Sequence, residues 1–175
     1  AAASGTAREM SEERPFGFIA PEGNTAMVCE PDAAVREKIV SELKGMGYAV
    51  AEAKSAREAL QFMRFHIFSA IFVNESFSTA EGQENSVLKF LEGLSMTVRR
   101  QTFVVLISAS LRTMDNMMAY NRSVNLIVNQ NEIAEVGQVF TKALDEHESF
   151  YHVYKENLRK AVKALIAAEA SVNKS

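Results

Sequence analysis

From Thr25 onward the apolar positions change period repeatedly, between short continuous runs that suit buried strands and three-four spacing that suits helices. Ala26-Met27-Val28-Cys29 is the first run. Behind it Asp32 is a good helix N-cap, Val35, Ile39, Leu43 and Met46 share a helical face, and Gly47 supplies a C-terminal stop. Residues 48–53 read as a second strand, and Ser55-Ala56-Arg57-Glu58 has the spacing of a capping box ahead of Ala59, Leu60 and Met63. Residues 69–74 form a third apolar run that ends in polar Asn74. After a polar loop over 75–84, Val87, Leu88, Leu91 and Leu94 mark a third helix, and Phe103-Val104-Val105-Leu106-Ile107-Ser108 is the strongest strand signal in the chain. A fourth helix is expected over 113–121 and a fifth strand over 124–128. A fifth helix should start near Glu132, with Ile133, Val136, Phe140 and Leu144 inward.

Alternating strands and helices of this kind predict an α/β fold, a doubly wound five-stranded parallel sheet. In such sheets the working crevice lies outside the carboxyl ends of the strands. Glu30, Asn74, Ser108 and the segment after Val128 are therefore the positions to watch.

Composition narrows the function classes. The 175 residues, 47% hydrophobic with only three prolines, suit one ordinary core with extra chain at the ends. A formal charge of −3 gives no general attraction to nucleic acid or to an anionic membrane, so neither is expected as a partner. A lone cysteine, Cys29, supports no internal disulfide and no cysteine-rich metal site, and it fits a reducing, cytoplasmic setting. The opening residues carry no apolar stretch of the secretory kind, and nothing approaches the length of a membrane span.

The stretches CEPDAAVREKIVSELKGMGYAV, SAREAL, the strand before Asn74, VVLIS and the chain after Asn125 resemble the receiver domains of bacterial response regulators, from about Thr25 to His147. That resemblance implies a flavodoxin-like strand order 2-1-3-4-5. It also implies a pocket with an acidic pair after strand one, a phospho-accepting aspartate ending strand three, a serine or threonine ending strand four and a lysine after strand five. Here the acidic pair falls on Glu30 and Pro31, with Asp32 displaced by one position. The acceptor falls on Asn74, whose amide is neither a carboxylate nucleophile nor a charged Mg²⁺ ligand. The lysine position falls on Gln130, or on Asn129 if the alignment slips, and neither brings a positive charge. The aromatic switch position falls on Ile127. Only Ser108 matches the pattern outright.

A closer resemblance is to degenerate receiver-like domains that follow zinc-ribbon segments in some bacterial proteins, carried by PFGF, MRFH, VRRQTFVVLIS and LRTMDNMMAYNRSVNLIVN. With Cys29 alone, a zinc ribbon would lie upstream of Ala1. On this reading residues 1–24 are a linker or partly ordered tail, 25–146 the receiver-like domain and 147–175 an amphipathic helical extension.

The candidates carry competing structural readings. Asp32 is explained as a helix cap more simply than as a metal ligand. Asn74 and Ser108 are commonplace polar ends of strands. Met114, Met117, Met118 and Tyr120 put adaptable side chains on the face that in receivers meets partners, together with Ile127, although some of them must pack on the sheet. Arg99 and Arg100 read as a solvated pair. Leu144, His147, Tyr151, Tyr154, Leu158, Ala161, Leu165 and Ala168 keep an unbroken three-four spacing, the seam of a coiled coil or of a helix folded back on its own domain.

The expectation is a non-catalytic signalling or scaffolding module without cofactor or metal. It would act through a protein partner, with a possible homodimer through Tyr151, Tyr154, Leu158 and Leu165. The rival readings are a phosphorelay regulator with a non-standard acceptor such as Asp32 or Glu75, and an atypical receiver whose Asn74 and Ser108 pocket binds a small molecule.

Overall fold

A computed structural model describes residues 23–80 and 83–172. Most of the expected N-terminal tail, including the PFGF motif, and the last three residues of the expected extension lie outside the described residues. Five strands, β1 (Thr25–Cys29), β2 (Ala49–Glu52), β3 (Ala70–Asn74), β4 (Phe103–Ser108) and β5 (Leu126–Asn129), form one sheet in the order β2-β1-β3-β4-β5. Every pairing is parallel. The helices are α1 (Ala33–Gly45), α2 (Ala56–Phe65), α3 (Ser86–Glu92), α4 (Met96–Arg99), α5 (Asn116–Asn121) and α6 (Val136–Val172).

The three central strands are apolar at almost every position because both faces of the sheet are covered, so β3 and β4 are buried throughout their length. Met27, Ile71, Val73, Val104, Leu106 and Ile127 belong to one core cluster with Val87 and Leu91 from α3. Burial also pushes the Cys29 thiol up to about 12, so it stays a neutral, inert part of the core.

Local chemistry sets the helix ends. Asp32 Oδ1 accepts the Val35 amide at 2.9 Å, which caps α1. At the other end Tyr48 N donates to Leu43 O and Gly47 N to Lys44 O, a Schellman closure that requires the left-handed φ of +83° at Gly47. Ser55 caps α2, and Glu58 reaches back to the Lys54 amide, one residue earlier than a standard capping box.

Several expected elements shift. The fourth helix does not begin at residue 113. The loop before it is tied to β5, with Met114 N donating to Ile127 O and Asn129 N donating to Thr113 Oγ1. Met114 is held at φ +60°, which a helix cannot include, so the helix starts only after Asp115 caps it. The third helix ends at Glu92, short of Leu94, and the separate short helix α4 follows. The fifth strand begins at Leu126, because the Asn125 side chain, not its backbone, satisfies Val104 N. The last helix is preceded by a 3₁₀ turn, Gln130–Glu135.

Arg99 is not a solvated loop residue. Its guanidinium donates to Thr102 O, Asn125 Oδ1 and Ser123 O at 2.8, 2.9 and 2.7 Å, binding α4 to the approach to β5.

By compactness the chain divides into units 1–137 and 138–175. In the second unit α6 continues without a break through residue 146 to Val172. Among the described residues no helix is long and apolar enough to cross a membrane.

Candidate functional site

The parallel register brings the ends of β1, β3, β4 and β5 to one edge, with Cys29 beside Val73, Asn74 beside Ile107 and Ser108 beside Asn129. Glu30, Asn74 and Ser108 therefore gather where the sequence placed them. All three are buried, Glu30 at 2% exposure and Asn74 at 3%.

Glu30 and Asn74 form the centre. Asn74 Nδ2 donates to Glu30 Oε2 at 2.8 Å, and the Asp32 amide donates to Glu30 Oε1 at 2.9 Å. Burial raises the Glu30 carboxyl above its ordinary range, while these two hydrogen bonds pull it back toward the charged form. The nearby cation, Arg36, donates to Glu30 O and Pro31 O and lies 3.5 Å from Glu52, so it holds the turn together. Pro31 is exposed and offers no side-chain polar atom.

Most of the other polar side chains at this edge are engaged as well. Asn74 Oδ1 accepts from Ser76 N and Ser76 Oγ at 2.9 and 2.8 Å. Ser108 Oγ accepts from Ser110 N and Leu111 N. Glu75 Oε1 accepts from Ala109 N at 3.0 Å and so bridges the chain after β3 to the chain after β4. Asn85 Nδ2 donates to Asn74 O and Glu75 O, while its Oδ1 caps α3 by accepting from Val87 N and Leu88 N. Asn129 Nδ2 donates to Leu111 O at 2.8 Å. Gln130 is half-buried and opens the 3₁₀ turn.

The resemblance to receivers implies Mg²⁺, which takes several oxygen ligands in near-octahedral array. This donor set does not fit it. The pocket holds one buried carboxylate, both of whose oxygens already accept hydrogen bonds, and Asp32 spends an oxygen on its cap. Among the described residues no three His, Cys, Asp or Glu side chains cluster as a metal site.

No family model matches the sequence, and no curated protein matches it. Solved structures do. A putative response regulator from Chloroflexus aurantiacus J-10-fl superposes with a TM-score of 0.51 at 18% identity, over 67% of this chain and 98% of that one. A CheY-like receiver domain protein from Methanospirillum hungatei JF-1 gives 0.55 at 16% identity, over 72% and 97%. The fold is that of response-regulator receivers. A further match, named as a yeast Spc42 trimeric coiled coil (amino acids 181–211) fused to another structure, gives 0.56 at 15% identity over 90% of this chain and all of that one.

Against the receiver frame the expected partner face is smaller than its sequence suggested. Ile127 is fully buried and cannot meet a partner. Met118 packs against the core cluster, and Met114 is a half-buried loop residue. Met117 and Tyr120 stand out, 74% and 82% exposed. On α6, Tyr151 and Leu158 are half-buried, whereas Tyr154 and Leu165 are exposed. Tyr151 also packs with His147, Phe150 and Tyr154 at ring separations of 4.7, 4.9 and 6.4 Å.

Sequence reasoning missed Asn85, Ser76 and the bridging role of Glu75. Asn85 was legible, because an asparagine directly before an apolar helical stretch is a standard N-cap. The Glu75 bridge carries no local signal.

Proposed function

We propose that this chain is a non-catalytic, receiver-like signalling or scaffolding module that acts through protein contacts and takes no phosphoryl group at the usual acceptor position. The observation that carries this reading is the state of Asn74, whose side chain spends its donor on Glu30 and its acceptor on Ser76. An amide forms no acyl phosphate, and a pocket whose polar groups are matched internally offers little to an incoming anion. The two stand-in acceptors are committed as well, Asp32 to its cap and Glu75 to the Ala109 amide. Exposed Met117 and Tyr120 on α5 and the long helix α6 are the contact elements of this reading.

Incubation with acetyl phosphate and Mg²⁺, followed by intact-mass analysis, tests the chemistry. The mass is expected to stay unchanged. An added phosphoryl group mapped to Asp32 or Glu75 would instead establish the phosphorelay alternative.

A further inference from the structure

The reading of α6 as an assembly element is the starting point, and the helix itself carries information about what it assembles with. Its seam is uneven along its length. Leu144, His147, Tyr151 and Tyr154 fill the first half with bulky side chains, whereas in the second half Ala161 and Ala168, alternating with Leu158 and Leu165, leave every other layer narrow. Charge is divided the same way. Residues 142–150 hold Asp145, Glu146 and Glu148 against one lysine, and residues 155–163 hold Lys155, Arg159, Lys160 and Lys163 against one glutamate. Within the seam Tyr154 is 39% exposed, apolar surface that association would remove from water.

A second copy running parallel would set tyrosine against tyrosine and alanine against alanine. That crowds one half of the seam, leaves gaps in the other and places acidic turns side by side. Reversing the second copy relieves all of these. With the crossing point between Tyr151 and Tyr154, Leu144 lies opposite Ala161, His147 opposite Leu158, and the tyrosines interleave at the centre. Residues 142–150 then run alongside 155–163 of the other copy, which matches acidic to basic, and the two helix dipoles oppose favourably. Glu148 and Lys155 already pair at 2.6 Å within one helix, on partly exposed side chains, so they can trade partners across the seam with little new desolvation.

We propose that α6 pairs antiparallel with α6 of a second copy of this chain, through the seam from Leu144 to Ala161.

Single cysteines placed in the full chain at Asp145, His152 and Lys163, all off the seam, and spin-labelled there test the arrangement. The native Cys29 is buried and does not compete for label. Sedimentation should give a dimer. Distances between labels should be shortest at 152 and should widen along the helix axis by about 22 Å at 145 and about 31 Å at 163, at 1.5 Å rise per residue. A dimer with similar distances at all three positions would overturn the direction alone, and a trimer would overturn the pairing while leaving α6 an assembly element. A monomer at all concentrations would overturn the underlying reading as well.

Discussion

Asn74→Asp, which restores the acceptor that receivers use, is expected to destabilise the protein by about 2–4 kcal/mol near neutral pH. The substitution removes the hydrogen bond from Asn74 Nδ2 to Glu30 Oε2 and sets a second carboxylate beside a buried one. Two such groups cannot both ionise cheaply, so one takes a pKa well above the ordinary carboxylate range, as Glu30 already does in part through burial. A folded-state pKa raised above the unfolded value means that the stability is intact at acid pH and is lost as pH rises through the folded pKa. The deficit should therefore shrink toward about pH 4 and be largest above the raised value. Mg²⁺ should restore part of the stability of the variant at neutral pH and leave the parent unchanged, because the variant has the second carboxylate that the ion needs. Urea unfolding at two pH values, with and without Mg²⁺, measures all three effects. A variant as stable as the parent at neutral pH would show that Asn74 is not the keystone of a closed network.

The second large effect belongs to Asn85. Its side chain caps two amides of α3 and donates to the carbonyls of Asn74 and Glu75 from a buried position. Asn85→Ala should cost about 3 kcal/mol, because the cap and two buried donors go together. Asn85→Ser keeps a cap acceptor and loses the donors without setting a charge against the two carbonyls, so it should fall between parent and alanine variant. The order of the three urea midpoints is the test; equal midpoints for the alanine and serine variants would assign the whole effect to the donors.

What could be read from the sequence depended on how local its cause was. The strands were legible because sheet burial on both faces writes continuous apolar runs such as Phe103–Ser108. Asp32, Ser55 and Gly47 were legible because caps act within a few residues. The strand-end position of Asn74 followed directly. The start of α5 was not legible, since the bond between Thr113 and Asn129 spans 16 residues. Arg99 was misread for the same reason, its partner Asn125 lying 26 residues on. Ile127 was assigned to a partner face by analogy with the aromatic switch of receivers, but an apolar residue in the β5 run packs inward. The closed state of the pocket depends on bonds from four strand ends at once, which no periodicity encodes.

The central claim, a receiver fold whose pocket no longer switches, is tested most directly by an amide NMR titration of the full chain with Mg²⁺ and beryllofluoride, a mimic of an acyl phosphate. The amides of Asn74, Ser76, Ser108 and Ala109, and those of α5, should stay where they are. Saturable shifts that start at Asn74 and Ala109 and spread to Met117 and Tyr120 would contradict it.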